Sequence, residues 1–124
     1  MRILLIEDYQ ECAEGFFCLM EAYIPEASIV HCTTLQAAAD AIEQDGPFNV
    51  IVLDLSLPDA KGTEGLQRLR QLLRETTATP IVVYTAYAQY QQECLDAGAQ
   101  AFCIKASIDG HDLAVLLERI ARSG

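Results

Sequence analysis

Five polar residues stand where short apolar runs end, and their types define a chemistry. Glu7 and Asp8 follow Ile3–Ile6, Asp54 follows Val50–Leu53, Thr85 closes the run from Ile81, and Lys105 follows Ala101–Ile104. Three carboxylates brought together repel, and at least one keeps its proton unless a cation intervenes. The donors are hard oxygens with no His or Cys motif beside them, which favours Mg²⁺ over Zn²⁺. A carboxylate flanked by Mg²⁺ and a Lys ammonium can attack phosphorus and give an aspartyl phosphate, with both cations stabilising charge on the phosphoryl oxygens. Asp54 stands alone and is the expected nucleophile. The adjacent Glu7 and Asp8 suit metal holding, and Thr85 can donate a hydrogen bond to the product.

That chemistry requires the five residues to meet, so the elements carrying them matter. The β-branched runs Ile3–Ile6, Val50–Leu53 and Ile81–Tyr84 read as buried strands, with Ser28–His31 and Ala101–Ile104 as edge strands. Between them lie helical stripes: Ala13, Phe16, Phe17, Met20 and Ile24; Leu35, Ala38, Ala39 and Ile42; Leu66, Leu69 and Leu73; Gln89 to Ala97; and Leu113, Leu116, Leu117 and Ile120. Thr33 with Gln36 resembles a capping box for the second helix, Gly46-Pro47 closes it, and Asp109 is the expected cap of the fifth. Five β-α units imply a parallel sheet covered on both faces. Ligands in such sheets bind beyond the carboxyl ends of the strands, where all five polar residues fall.

Each residue has an ordinary reading when taken alone. Glu7 and Asp8 suit a helix start, Asp54 a turn, Thr85 a strand, Lys105 a solvated surface and Phe102 plain packing. Their coincidence at four strand ends favours a shared site. His31 and His111 suggest no metal or catalytic pair. Arg68, Arg70 and Arg74, with Glu64 and Glu75, read as a solvated helix face.

Composition narrows the function classes. The 124 residues form one expected domain, 1–124, and 52% of them are hydrophobic, enough for a core. Eighteen acids against eight Lys and Arg give a net charge of −10, which disfavours nucleic acid and anionic membrane surfaces. Five cysteines without C-x2-C spacing exclude a disulfide framework and a zinc ribbon. They read as reduced, mostly buried thiols of a cytoplasmic protein. No apolar run is long enough to span a membrane or form a signal-peptide core.

In combination these residues resemble the receiver domain of two-component response regulators, over essentially the whole chain. Ile6-Glu7-Asp8 resembles the acidic pair after the first strand. Asp54-Leu55-Ser56-Leu57-Pro58 with Gly62 resembles the D-x-x-[ML]-P-x-x-x-G segment around the phosphorylated aspartate. Tyr84-Thr85-Ala86 resembles the switch threonine and its small neighbour, and Gly98 to Lys105 resembles the G-A-x-x-[YF]-L-x-K segment.

The resemblance implies a flavodoxin-like (βα)5 fold, a doubly wound five-stranded parallel sheet of order 2-1-3-4-5. It implies a phosphorelay signalling domain rather than an enzyme, one that promotes its own phosphorylation and dephosphorylation. Asp54 would take a phosphoryl group from a sensor histidine kinase or a histidine phosphotransfer protein. Mg²⁺ would be held by Glu7, Asp8, Asp54 and the backbone carbonyl of Ser56. Thr85 would swing towards the phosphate and Phe102 would turn inward. The face of helix 4, strand 5 and helix 5 would then change its preference for a downstream effector or a fused output domain, and homodimers through that face are a further expectation.

Two departures stand out. Ala106 replaces the usual proline after the lysine, so the loop holding Lys105 is either trans and reshaped or cis at about 2.5–4 kcal/mol. Tyr87 lies near the expected path of attacking water and should slow hydrolysis. The alternative reading is a receiver-like adaptor that binds partners without phosphorylation, and Ala106 leans mildly towards it. A flavin carrier would need a phosphate-cradling loop where the two acids stand. A haloacid-dehalogenase-like phosphatase would need an Asp at Ser56.

Overall fold

A computed structural model describes residues 1–74 and 78–123, without the side chain of Arg74. Glu75 and the Arg74 side chain, assigned above to a solvated helix face, lie outside the described residues.

Five strands form one parallel sheet: β1 (Arg2–Ile6), β2 (Ser28–Cys32), β3 (Val50–Leu53), β4 (Ile81–Thr85) and β5 (Ala101–Ile104). Numbered in this way their order is 2-1-3-4-5, as the resemblance implied. Helices α1 (Gln10–Tyr23), α2 (Leu35–Asp45), α3 (Glu64–Arg74), α4 (Gln91–Asp96) and α5 (Gly110–Ser123) connect and follow them.

The sheet divides the interior because successive strand residues face opposite sides. Ile3, Leu5, Val50, Val52 and Val82 pack with α1 and α5 through Phe16, Met20, Leu113 and Leu117. Leu4, Ile6, Ile51, Leu53, Ile81 and Val83 pack with α2, α3 and α4 through Leu35, Ile42, Leu66, Leu69 and Cys94. The continuous apolar runs of β1, β3 and β4 thus serve two cores at once. At the start of α5, a Cβ on Gly110 would collide with Leu19 Cδ2 of α1, so the two helices meet without space for a side chain there.

Several local expectations change. The cap of α2 is Thr34, not Thr33: Thr34 Oγ1 accepts from Ala37 N–H at 3.0 Å. The Gln36 side chain donates along its own helix to Asp40 at 3.2 Å instead of closing a capping box. The fourth helical segment begins as a 3-10 turn at Ala88–Tyr90 and becomes α-helical only over six residues. Arg70 is half-buried with its guanidinium against Gly98, whose φ of +101° suits a residue without a side chain. Three cysteines, Cys32, Cys94 and Cys103, are buried, whereas Cys12 is half-buried and Cys18 exposed. The expected Asp109 cap is present, its Oδ1 accepting from Asp112 N–H at 2.8 Å.

A small hairpin after β3 pairs Ser56 with Lys61 and Leu57 with Ala60, around Pro58-Asp59. Two-residue strands leave no period to read in a sequence. The hairpin brings Asp59 to the start of α2, where its carboxylate accepts from Leu35 N–H at 2.8 Å and Gln36 N–H at 3.0 Å. The slight burial of Asp59 would raise its pKa. These backbone donors outweigh that and, with Arg68, hold it below the ordinary Asp value. A depressed folded-state pKa stabilises the fold above the unfolded-state value and loses that contribution as pH falls through the folded one. Asp59→Ala should therefore lower urea stability by about 1 kcal/mol at neutral pH, the usual cost of a lost cap. The gap should close once the pH drops well below about 3.9. A gap unchanged at low pH would show that the carboxylate charge is not what α2 uses.

Candidate functional site

The carboxyl ends of β1, β3, β4 and β5 bring the predicted residues together. A crevice of about 190 Å³ is lined by Asp8, Asp54, Ser56 and Lys105, with Tyr9, Cys12, Ala86 and Tyr87 completing its walls. Glu7 is not in that lining. It is buried at the end of β1 and receives the Lys105 ammonium, Nζ to Oε1 2.5 Å. The same ammonium stands 3.6 Å from Asp54 Oδ2. One cation therefore serves two buried acids, while Asp8 is exposed at the crevice mouth.

The local sequence explains each placement. The β1–β2 ladder runs one bond past Ile6, because Glu7 N–H donates to Cys32 C=O at 2.9 Å. The chain then turns into α1, with Tyr9 N–H donating to Glu7 Oε2 at 3.3 Å. Asp54 N–H donates to Ile6 C=O at 3.0 Å, and Asp54 Oδ1 accepts from Leu55 N–H at 2.9 Å. Thr85 is fully buried, its Oγ1 accepting weakly from Tyr87 N–H at 3.4 Å. That leaves its hydroxyl proton free to donate elsewhere.

Lys105 extends β5 by one bond, donating its N–H to Thr85 C=O at 2.9 Å. Its peptide bond to Ala106 is trans; the sole cis bond among the described residues joins Gly46 and Pro47. A turn follows, closed by Ser107 N–H to Ile104 C=O at 2.9 Å. Of the two loop forms left open by the sequence, the trans one reaches both acids. The Lys105 ammonium also lies 5.7 Å from the centroid of the Tyr84 ring, within cation–π range. Phe102, on β5, is half-buried and packs against the core beneath α4.

Burial and charge act against each other here. Burial is the largest influence on Glu7 and, with the neighbouring Asp54 carboxyl, pushes its pKa to about 7 despite Lys105. Burial pulls Lys105 down, but the bond to Glu7 and the charge of Asp54 outweigh it and leave its pKa raised. The lysine is thus held charged by two acids that would otherwise repel each other.

Tyr9 and Cys12 were not singled out in the sequence. Both lie in the first turns leading into α1, and their nearness to Asp8 is the one signal available. Among the described residues a group of Asp109, His111 and Asp112 also brings its donor atoms together, but all three are exposed at the start of α5.

The arrangement offers carboxylate oxygens and an ammonium around one small space open to solvent, with the Thr85 hydroxyl buried outside its lining. The family model described as "Response regulator receiver domain" matches residues 3–118. The transcriptional regulatory protein BasR of Escherichia coli (strain K12) is 30% identical over 107 residues, which are 85% of this chain and 46% of that protein. Regulatory protein AtoC of the same organism is 27% identical over 120 residues, 95% of this chain and 24% of that protein. The chain thus spans less than half the length of these curated relatives. A two-component response regulator of the LuxR family from Aurantimonas sp. SI85-9A1 superposes with a TM-score of 0.83 at 26% identity, covering 98% of this chain and 85% of that one. The receiver domain of a sensor histidine kinase from Pseudomonas aeruginosa, solved with a magnesium ion coordinated in its active site cleft, superposes with a TM-score of 0.79 at 21% identity. That superposition covers 98% of this chain and 97% of the other, and shows likeness of fold.

Lys105→Met would leave Glu7 and Asp54 buried together without their cation. Urea unfolding at neutral pH should show a loss of about 2 kcal/mol, less than for a fully buried pair because the lysine keeps some exposure. A variant as stable as the parent would show that solvent already screens the cluster.

Proposed function

The chain belongs to the response regulator receiver family, and from that premise we propose that Asp54 is its phosphoacceptor. The observation that carries this reading is the Lys105 ammonium, 2.5 Å from Glu7 and 3.6 Å from Asp54 at the edge of an acid-lined crevice. The donor set fits a hard divalent cation: Asp8 and Asp54 present carboxylates to the same space, and Ser56 borders it. Asp8, Asp54 and the backbone carbonyl of Ser56 would hold Mg²⁺, and Glu7, which lies outside the lining and is bonded to Lys105, would join them only once that bond breaks. When bound, Mg²⁺ supplies positive charge beside the phosphoryl oxygens.

The chain's own residues do the rest. A carboxylate oxygen of Asp54 attacks phosphorus on a phosphohistidine; the new O–P bond forms as the N–P bond to the donor imidazole breaks. Lys105 moves from its acids to a phosphoryl oxygen and stabilises the charge gathering there. Thr85 donates its free hydroxyl proton to another phosphoryl oxygen. Its shift opens space behind it, into which Phe102 turns. The surface of α4, β5 and α5 changes with it and alters the preference for an effector or an attached output domain. The donor is a sensor histidine kinase or a histidine phosphotransfer protein, and the setting is cytoplasmic. The adaptor reading rested on Ala106; with Lys105 reaching both acids through a trans bond, no observation favours it.

Incubation with Mg²⁺ and acetyl phosphate should add one phosphoryl group by intact mass, and Asp54→Ala should add none. The reading fails if the parent protein gains no mass and also does not bind beryllofluoride. Tyr87 is exposed in the crevice wall and braced edge-on by Tyr90, with ring centroids 6.4 Å apart. Tyr87→Ala should accelerate loss of the phosphoryl group several-fold. An unchanged rate would show that Tyr87 does not shield the phosphate from water.

A further inference from the structure

His31 makes a bond that neither the fold nor the phosphoacceptor reading uses. It lies on the edge strand β2, paired in register with Leu5, and its Nε2 sits 2.8 Å from the carbonyl oxygen of Glu7. A carbonyl oxygen only accepts, so Nε2 carries the proton. Phe17 of α1 packs against the ring, edge-on with centroids 5.6 Å apart.

The position of this carbonyl gives the bond its meaning. The β1–β2 ladder ends with Glu7 N–H on Cys32 C=O, because β2 stops at Cys32. The next acceptor along β1, the Glu7 carbonyl, has run past the end of its neighbouring strand. The His31 side chain supplies the donor that the backbone no longer can. The Glu7 carbonyl belongs to the peptide unit joining Glu7 to Asp8. Fixing that plane fixes the direction in which Asp8 leaves β1 and enters the crevice.

We propose that His31 is a positioning residue for the acidic pair, and that its Nε2–H holds the Glu7–Asp8 peptide in the orientation that a divalent cation at the crevice requires. This rests on the reading that these acids hold the cation. Outer-sphere hydrogen bonds of this kind tune affinity without touching the ion.

The test is Mg²⁺ titration by calorimetry on the parent protein, His31→Phe, His31→Gln and Asp8→Asn. His31→Phe keeps a ring against Phe17 and loses the donor. Its Kd should rise roughly 3- to 10-fold, the usual worth of one hydrogen bond. His31→Gln retains an N–H at a similar reach and should stay within about 2-fold of the parent, a rescue that a purely packing role would not give. Equal affinity for the parent and His31→Phe would overturn the proposal and leave the metal reading standing. A parent protein that binds no Mg²⁺, or an Asp8→Asn variant that binds as well as the parent, would overturn the metal reading and the proposal with it. A second measurement needs no variant. The chain has two histidines, so ¹⁵N-histidine spectra of the parent contain one signal set each for His31 and the exposed His111. His31 should hold its proton on Nε2, and a His31 that exchanges between tautomers would also overturn the proposal.

Discussion

The site depends on one constraint: two acids buried at the ends of neighbouring strands share a single ammonium. Glu7 ends β1, Asp54 ends β3, and Lys105 reaches both from the far edge of β5. Apart from that cation, burial and the neighbouring Asp54 carboxyl both oppose charging Glu7. The cluster is stable only while the strand ends keep their places, so the long-range order of the sheet and the electrostatics of the site are one problem. An ammonium held by attraction to two acids and an aromatic face, with no single fixed partner, can change partners. That is what a charged ligand arriving in the crevice would ask of it.

The surroundings of the cluster hold the backbone more than the side chains. Ladder bonds run one residue past β1 and β5, and Asp59 ties the loop after Asp54 to the first turn of α2. The loops that carry the polar residues are therefore anchored at both ends, while the carboxylate of Asp8 and the ring of Tyr87 remain open to solvent. Fixed main chain and accessible functional groups suit a site that must receive a reactant from a separate molecule.

Much of this was legible in the sequence, and the reasons are physical. β-branched runs covered on both faces cannot be mistaken for amphipathic elements, so β1, β3 and β4 and their polar ends stood out together. The matching family model and the parallel sheet order agree with that reading. What escaped were features set by tertiary context. Thr33 and Thr34 are equally good caps by type, and only the path of the chain places Thr34 before Ala37. The hairpin at Ser56–Lys61 is too short to have a period. The trans bond at Ala106 was one of two open options, and the chain takes the one without the cost of a non-proline cis bond. His31 was set aside because a lone histidine on an edge strand has no partner visible in one dimension.

The contact between Gly110 and Leu19 divides the molecule in a way its symmetry of layers conceals. Because α5 starts hard against the Leu19 and Tyr23 side chains of α1, these two 14-residue helices share one closely packed core. Across the sheet, the segment before β5 is a single 3-10 turn followed by a six-residue helix. Within α4 only Cys94 is buried, so this short segment has fewer anchors than the longer helices beside it. The asymmetry lies in that one segment: α2 and α3 on the same side are well packed, and the 3-10 turn with α4 is the lightly anchored part of the flank.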